Sequence, residues 1–267
     1  MVRSLLITGA SSGIGAATAA HLAGRGFRVF GTSRNPRASQ PETGPIEWIQ
    51  LDVCDEDSVR KGVAEVLART QRLDALVCNA GIGIFGSIEE VPLEAARKQF
   101  DTNVFGILRM LRAVLPHMRE CGGGRIVLIG SLSGRASVPF FSHYSASKAA
   151  VDSLAMALRN EVAAWGIRVS LVEPGDINTP FNDAMDWEDA ESSAYGEEVR
   201  RCKEVMLDTL PRAPGPELVA RTVERALTAR RPRVRYPVGP DSLAVPLARR
   251  LLPDWLTLRL IRSRFQR

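Results

Sequence analysis

Seven short apolar runs, separated by stretches of helical periodicity, constrain the fold of this chain more than any other feature of its sequence. Runs of roughly four to eight apolar residues between turn signals are typical of buried strands. Strands that are apolar on both faces belong to a parallel sheet covered by helices on each side. The pattern predicts an α/β fold, a doubly wound parallel sheet of about seven strands, in one domain spanning residues 1–267. The predicted strands are Val2–Ile7, Arg28–Ser33, Ile46–Leu51, Ala75–Cys78, Arg125–Gly130, Arg168–Glu173 and Val234–Val238.

The stretches between these runs have the spacing of amphipathic helices. Over Asp55–Gln71, for example, Val59, Val63 and Val66 share one face, and Asp55 stands at the N-cap position. Two segments depart from the alternation. The segment at about 176–214 has no clear periodicity of apolar residues, which is typical of a substrate-binding loop. Residues of about 240–267 form a basic, amphipathic C-terminal segment that is predicted to be helical.

The positive charge of the chain is concentrated near its C-terminal end. The net charge is +5, but ten arginines and two aspartates between Arg230 and Arg267 give that segment +8. Leucines, Trp255 and Ile261 alternate with the arginines at helical spacing, which predicts amphipathic helices packed on the body with a solvated arginine face. Contact of this segment with an acidic membrane surface is the less favoured alternative. Nucleic-acid binding is not predicted, because no regular aromatic interleaving accompanies the charge.

The cysteines, the histidines and the apolar runs exclude several other classes of protein. The four cysteines are scattered without a CxxC pair, and with three histidines they predict no metal site. No run approaches the roughly twenty apolar residues that span a bilayer, and the N-terminal run is too short for a signal peptide. We therefore expect a cytoplasmic protein with reduced cysteines.

A glycine-rich turn follows the first predicted strand. It reads TGASSGIG over Thr8–Gly15 and runs into the helical pattern Ala16–Ala23. Glycines at such a turn let backbone N–H groups approach a phosphate, and the start of the next helix adds a partial positive charge. The spacing is GxxxGxG rather than GxGxxG, so the turn alone is weak evidence. Its place between the first strand and a helix favours a dinucleotide site.

The end of the second predicted strand indicates which dinucleotide is bound. An acid there would bind the ribose hydroxyls of NAD, whereas an arginine suits the 2′-phosphate of NADP. The chain has Ser33 and Arg34 at this point and no carboxylate. The site therefore predicts NADP(H), and the alternative is that Arg34 is a solvated loop arginine.

A tyrosine, a lysine and a serine are the candidates for proton chemistry. Tyr144 and Lys148 are four residues apart in the helical pattern Ser145–Trp165, so both can reach one cleft. A free tyrosine has a pKa of about 10, and a neighbouring ammonium lowers it. Ser131 follows the strand Arg125–Gly130, where its hydroxyl can hold a substrate oxygen. Each feature alone is commonplace, and their conjunction predicts a catalytic site.

These motifs resemble, in order and over most of the chain, those of the short-chain dehydrogenase/reductase family and its 17β-hydroxysteroid and retinol dehydrogenase branch. The resemblance implies a Rossmann-type NADP-binding catalytic domain in which Asn103, Ser131, Tyr144 and Lys148 are catalytic. Asn103, Tyr144 and Lys148 would also contact the cofactor. The other implied cofactor-binding residues are Gly9, Ser11, Ser12, Gly13, Ile14, Gly15, Ser33, Arg34, Asp52, Val53, Asn79, Ala80, Gly81, Pro174, Gly175, Ile177 and Thr179.

The resemblance implies an NADP(H)-dependent oxidoreductase that interconverts a ketone or aldehyde and its alcohol, with Tyr144 as the proton-transfer residue. It also implies a homo-oligomer, dimer or tetramer, formed through the helices around Phe100–Met118 and Ala149–Trp165. An apolar substrate pocket, suited to a steroid, retinoid or polyketide-like carbonyl, is indicated by Phe140, Phe141, Phe181, Met185, Trp187 and Met206.

Two alternatives remain on the same fold. One is a catalytically silent, NADP-binding regulatory protein, which we would expect to lack one of Ser131, Tyr144 and Lys148. The other is a dehydratase or epimerase of nucleotide sugars, against which the modest length counts because no larger C-terminal substrate domain is present. A change in absorbance at 340 nm with a panel of ketones and alcohols separates all three.

Overall fold

Seven strands form a parallel sheet in the computed structural model, which describes residues 4–36, 46–181, 185–187, 194–242 and 244–265. The strands are β1 Ser4–Ile7, β2 Arg28–Ser33, β3 Ile46–Gln50, β4 Ala75–Cys78, β5 Ile84–Phe85, β6 Gly124–Ile129, β7 Ile167–Pro174, β8 Asp186–Trp187 and β9 Arg235–Val238. The strand order is β3-β2-β1-β4-β6-β7-β9, and two short strands, β5 and β8, pair separately. The predicted strands match the observed ones to within one or two residues, apart from Val2 and Arg3, which lie outside the described residues.

Helices cover both faces of this sheet, as the sequence predicted. One face packs residues of α2, α4 and α5, and the other packs residues of α1 and α7. A π-helical turn, Asp101–Phe105, separates α3 from α4. The helices are α1 Gly13–Gly24, α2 Glu56–Arg69, α3 Leu93–Phe100, α4 Gly106–Glu120, α5 Ser142–Glu161, α6 Gly196–Thr209, α7 Glu217–Thr228, α8 Ala244–Leu251 and α9 Asp254–Phe265.

The local sequence explains where these elements begin. Asp55 caps α2 because its carboxylate accepts a hydrogen bond from the Ser58 N–H at 2.8 Å. The core of each face is aliphatic: Leu6 and Leu76 on one face and Ile7 on the other are fully buried, and each such burial stabilises the fold by about 1.5–3 kcal/mol. The sheet is consequently a rigid frame for the loops at its strand ends.

The order of the strands fixes where a ligand can bind. From β1 the chain builds outward to β2 and β3 on one side, and then to β4, β6, β7 and β9 on the other. The strands after β1 are added on one side of it, and those from β4 onward are added on the other side. The loops at the carboxyl ends of β1 and β4 therefore lead to opposite sides of the sheet and leave a crevice between them. The glycine-rich turn follows β1, and Asn79 follows β4, so both lie at this crevice.

Two predictions about the second half of the chain require correction. The segment 176–214 is not irregular throughout, since α6 lies within it. Its buried residues Val199 and Cys202 are only three apart among charged neighbours, too few to show a period. The C-terminal helices do form, but their apolar residues pack on the body only in part, with Ile261 and Phe265 partly buried at the cavity wall. Leu247, Leu251, Trp255, Leu258 and Leu260 are exposed.

Within the described ranges, every helix is too short or too polar to cross a bilayer.

Candidate active site

A cavity of about 1250 Å³ opens at the carboxyl ends of the central strands. It brings together the glycine-rich turn, the end of β2, the residues after β4, and the Ser131, Tyr144 and Lys148 side chains. All the predicted site residues line its wall except Gly15 and Asn103, which lie behind it. The topology thus collects residues separated by 170 positions in the sequence into one space.

The glycine-rich turn has a backbone that requires glycine. Gly9 and Gly13 have φ angles of +65° and +53°, in the left-handed region that favours glycine. At Gly15 the reason is space, because an added Cβ would lie 2.0 Å from the Gly9 carbonyl oxygen and 2.5 Å from Asn79 Nδ2. Gly15 therefore allows α1 to approach the turn and contributes to the site only through packing.

Asn79 and Thr8 fasten this turn to the end of β4. The Asn79 side-chain amide donates to the carbonyl oxygens of Thr8 and Gly9, at 3.0 Å each. The Thr8 hydroxyl accepts hydrogen bonds from the N–H groups of Asn79 and Ala80, at 2.9 and 3.1 Å. The side chain of Asn79 is thus occupied in holding the turn, and Ala80 and Gly81 supply the cavity wall beside it.

The start of α1 suits the pyrophosphate of a dinucleotide. No acidic residue stands in its first turn, and the side chain of its N-cap residue, Ser12, makes no capping hydrogen bond. Ser11, Ser12, Gly13 and Ile14 face the cavity. Free backbone donors and the helix dipole at such a terminus favour an anion. The residues present therefore fit the group that the sequence predicts.

The end of β2 carries the residues expected to select the nucleotide. Arg34 is exposed on the cavity rim, while Ser33 is buried beside it and accepts a hydrogen bond from the Asn35 N–H at 3.2 Å. The Asp52 carboxylate, which also lines the cavity, accepts the Cys54 N–H at 2.9 Å and so closes its own turn. The rim at Arg34 therefore presents a cation.

Tyr144 and Lys148 lie one turn apart in α5, as predicted, and both face the cavity. The Tyr144 ring stacks on Phe141, with ring centroids 4.2 Å apart and planes 14° from parallel, and leans against Phe181. Lys148 Nζ lies 5.5 Å from the Tyr144 ring centroid and donates a 3.0 Å hydrogen bond to the carbonyl oxygen of Ile129. Packing on both sides holds the phenol in place.

Burial dominates the protonation of both groups. It raises the pKa of Tyr144 to about 12, although the neighbouring Ser131 hydroxyl acts in the opposite direction. It also lowers the pKa of Lys148 to about 8. The sequence led us to expect that the ammonium would lower the pKa of Tyr144. In this chain the desolvation of the phenol is the larger effect.

Ser131 begins the short 3₁₀ turn Leu132–Gly134 directly after β6. Its hydroxyl accepts hydrogen bonds from the N–H and the hydroxyl of Ser133, at 3.2 and 2.9 Å. It lies 3.4 Å from the carbonyl oxygen of Pro174, to which it donates. Ser131 thereby joins the ends of β6 and β7 at the cavity wall.

A buried ion pair supports the same two strand ends. Glu173, at the end of β7, is 1 % exposed and binds Arg135 through two hydrogen bonds of 2.6 and 3.0 Å. Arg235 on β9 contacts Glu173 at 3.5 Å and pairs with Asp152 on α5. A planar guanidinium that holds both carboxylate oxygens fixes geometry well. The network ties the Ser131 turn, α5 and the Pro174–Gly175 segment together.

Asn103 is fully buried in the π-helical turn and does not face the cavity. Its side-chain amide donates to the Ile82 carbonyl oxygen at 3.0 Å and to the Ser147 hydroxyl at 3.1 Å, and its oxygen accepts the Ile82 N–H at 2.9 Å. These bonds connect the segment after β4 to α5. The implied catalytic and cofactor-binding role of Asn103 stays a prediction.

The far end of the cavity is apolar. Phe141, Phe181 and Met206 line it, as the sequence predicted, but Met185 is buried behind it and Phe140 packs at its back. The side chain of Trp187 lies outside the described residues. Sequence reasoning missed the contribution of α9, whose Leu260, Ile261 and Phe265 complete the wall together with Val245 of α8 and Leu210. The spacing of apolar residues in the sequence does not distinguish the residues of α9 that line the cavity from the exposed apolar residues of the same helix.

Over the residues that the structure describes, no cluster of three or more His, Cys, Asp or Glu side chains could hold a metal ion, at the cavity or elsewhere.

Comparison with known proteins identifies the family. A family model described as short chain dehydrogenase matches residues 3–189 of the chain. The chain is 36 % identical over 238 residues to the 3-ketodihydrosphingosine reductase of Bacteroides thetaiotaomicron, covering 88 % of this chain and 87 % of that protein. It is 35 % identical over 272 residues to human 17-beta-hydroxysteroid dehydrogenase type 1, covering 94 % and 81 %. The chain belongs to the short-chain dehydrogenase/reductase family and is an oxidoreductase of that family.

Solved structures agree with the fold and the cofactor class. A short-chain dehydrogenase from Streptomyces avermitilis superposes with a TM-score of 0.81 at 34 % identity, covering 98 % of this chain and 95 % of that one. A 3-ketoacyl-(acyl-carrier-protein) reductase from Brucella melitensis, complexed with NADH, gives 0.74 at 25 % identity, covering 88 % and 95 %. ElxO with NADP bound gives 0.74 at 26 %, covering 91 % and 100 %. The Rossmann-type fold is confirmed, and nicotinamide dinucleotides are the cofactors of this family.

Proposed function

We propose that this protein is an NADP(H)-dependent oxidoreductase that interconverts a ketone or aldehyde and its alcohol on an apolar substrate. The observation that carries the proposal is the convergence of Ser131, Tyr144 and Lys148 on one cavity, between a glycine-rich phosphate turn and an apolar end. A silent regulatory protein would have no use for this arrangement. The names of two relatives, a ketone reductase and a hydroxysteroid dehydrogenase, support the same class of reaction.

In the reductive direction, the Ser131 hydroxyl gives up its long 3.4 Å contact with the Pro174 carbonyl oxygen, and Ser131 and Tyr144 donate hydrogen bonds to the substrate carbonyl oxygen and polarise it. When bound, NADPH would supply the hydride that reduces the carbonyl carbon. Tyr144 gives its phenolic proton to the oxygen as negative charge develops there, and the Lys148 ammonium stabilises the resulting phenolate. In this proposal the same ammonium would hold the nicotinamide ribose, and Ile177 and Thr179 would hold the carboxamide. Phe141 and Phe181 keep water from the phenol.

NADP(H) is preferred in this proposal because the rim at the end of β2 carries Arg34 and Ser33 and no carboxylate. The guanidinium presents a planar fork of donors that suits the adenosine 2′-phosphate. An acid at this place, which would select NAD, is replaced by the arginine. The substrate class follows from the aromatic and aliphatic lining of the opposite end, which suits a steroid, retinoid or polyketide-like carbonyl.

The proposal is tested by replacing Tyr144 with phenylalanine. Tyr144→Phe removes the transferable proton and keeps the stacking on Phe141, so we expect NADPH to bind normally and turnover to fall by ~10²–10⁴-fold. Turnover is followed at 340 nm with a panel of apolar ketones and alcohols, with NADPH and NADH side by side. Tyr236→Phe is the matched control, because its hydroxyl accepts the Arg233 N–H away from the cavity. A Tyr144→Phe variant that retained substantial turnover would refute the assignment.

Oligomerisation belongs to the proposal as well. The helices expected to form the interface leave two large apolar side chains exposed, Phe105 beside α4 and Trp165 after α5. Such side chains on two neighbouring helices suit a symmetric contact between copies of the chain. Light scattering of the purified protein measures the assembly directly.

A further inference from the structure

The two C-terminal helices expose large apolar side chains. Leu247 and Leu251 of α8 are 56 % and 66 % exposed, and Trp255 and Leu258 of α9 are 64 % and 63 % exposed. Within each helix the two residues are three or four positions apart, so they lie on one side of it. We call these four side chains the C-terminal apolar surface. Burying them would stabilise any contact in which they take part.

Arginines stand among these apolar residues. Arg250 of α8 and Arg259 and Arg262 of α9 are all exposed. Arg259 and Arg262 follow Trp255 by four and seven residues, so the indole and the two guanidinium groups share one side of α9. Trp and Leu beside Arg on the exposed face of a helix is the composition of helices that lie in a membrane interface.

The side of α9 opposite Trp255 faces the protein. On that side Leu260 and Ile261 line the cavity and Thr257 is buried, and Phe265, in the last turn of the helix, lines the cavity as well. Arg264 lies 3.8 Å from the carboxylates of both Asp176 and Asp241, which anchors the end of α9 at the cavity wall. The C-terminal apolar surface is therefore carried by a helix whose other side is part of the cavity wall.

We propose that α8 and α9 dock the protein on an anionic lipid surface, with the C-terminal apolar surface in the headgroup region and the arginines on lipid phosphates. Charge decides between this occupant and a second copy of the chain. A symmetric contact between two copies would bring Arg250, Arg259 and Arg262 of each copy against the same arginines. An anionic bilayer offers both the apolar phase and the opposite charge.

Docking on a lipid surface is proposed independently of the enzymatic function. Its consequence for substrate access to the cavity rests on the proposed function. If the substrate is an apolar ketone, a docked α9 sets the cavity beside the phase in which such a molecule dissolves. Substrate could then reach Phe265 and Leu260 without crossing bulk water. Lipid binding by the purified chain is measured without turnover, so the two proposals can fail separately.

The test is sedimentation of the full chain with vesicles of phosphatidylcholine alone or mixed with phosphatidylglycerol. We expect binding to the mixed vesicles that weakens with added salt, and far weaker binding to phosphatidylcholine. The double variant Trp255→Ala with Leu258→Ala should lower the partition coefficient by about tenfold or more. Arg259→Gln with Arg262→Gln should lower it by roughly 30-fold, since each arginine near an anionic surface contributes about fivefold.

Matched controls come from the same chain. Leu93→Ala removes another large exposed apolar side chain, and Arg60→Gln another exposed arginine, on helices far from α9 in the sequence. Neither should alter vesicle binding. Thermal unfolding checks that all variants are folded. We expect them to be, because substitutions at exposed positions usually change the free energy of unfolding little.

Three results would overturn the proposal. One is equal binding of the wild type to both kinds of vesicle, and another is wild-type binding by both double variants. The third is a dimer, measured by light scattering, that dissociates on Trp255→Ala with Leu258→Ala. That result would assign the C-terminal apolar surface to self-association instead.

Discussion

The two ends of the cavity are built on different principles. At the nucleotide end, the backbone of the glycine-rich turn is fixed by hydrogen bonds from Asn79 and Thr8 and by the lack of any space beside Gly15. At the substrate end, the wall is made of side chains from α6, α9 and the segment after β7, held mainly by apolar packing, with the Arg264 ion pairs at its edge. Directed bonds tolerate few changes, whereas apolar walls tolerate many.

The sharpest test of this difference is Gly15→Ala. The added methyl group would lie 2.0 Å from the Gly9 carbonyl oxygen, so the turn must distort, and we expect loss of cofactor binding and of activity. Gly24→Ala is the control, because nothing lies within 4 Å of a Cβ there. It should raise the free energy of unfolding by about 0.5–1 kcal/mol, measured by urea denaturation. Normal NADPH binding by Gly15→Ala would show that the turn is less rigid than its geometry implies.

The second largest effect is expected from a substitution of Arg34 on the cavity rim. Arg34→Ala removes charge-assisted hydrogen bonds to the 2′-phosphate, so the KM for NADPH should rise by about 10–100-fold. The KM for NADH should change little, because NADH lacks that phosphate. Arg112→Ala, another exposed arginine, leaves both constants unchanged in this prediction. Equal effects of Arg34→Ala on the two cofactors would sink the 2′-phosphate interpretation.

The pKa of Lys148 predicts how kcat/KM for NADPH depends on pH. Its pKa of about 8 lies below that of a free lysine, so it carries its charge below pH 8 and loses it above. We expect kcat/KM for NADPH to be flat below pH 8 and to fall by about tenfold per pH unit above it. In Lys148→Arg the guanidinium stays charged, so this decline should disappear even if the rate is lower throughout. An unchanged decline in that variant would point to another group.

The substrate end should respond more mildly. Phe265→Ala widens the wall formed by α9, and we expect a few-fold rise in the KM of large apolar ketones with no change in the KM for NADPH. Leu258→Ala on the outward side of the same helix is the control, measured in lipid-free buffer. If Phe265→Ala altered NADPH binding as strongly as ketone binding, the two ends of the cavity would not be separable in this way.

The nucleotide end was predictable from sequence because its determinants are local. Short apolar runs bounded by turn residues gave the strands of the large sheet, and the glycine turn, Ser131, Tyr144 and Lys148 follow directly from elements that the pattern predicts. The supporting bonds were not predictable. Asn79 and Asn103 bond to segments brought near only by the fold, and sequence spacing carries no information on such contacts.

The substrate end was predicted less well for a related reason. The strands β5 and β8 are two residues long, too short to show an alternating pattern. In α9 apolar residues occur on several sides, so the sequence offers no single face to bury. Trp255 and Leu258 therefore read as core residues and are in fact exposed, while Ile261 and Phe265 turn inward.

The place of α9 in the chain bears on how such a protein can diversify. Phe265 lies 256 positions after Gly9 in the sequence, yet both line the same cavity. Substitutions confined to α8 and α9 would thus reshape the apolar end and leave the turn after β1 untouched. Related proteins can therefore diverge at one end of this cavity while the other end is conserved.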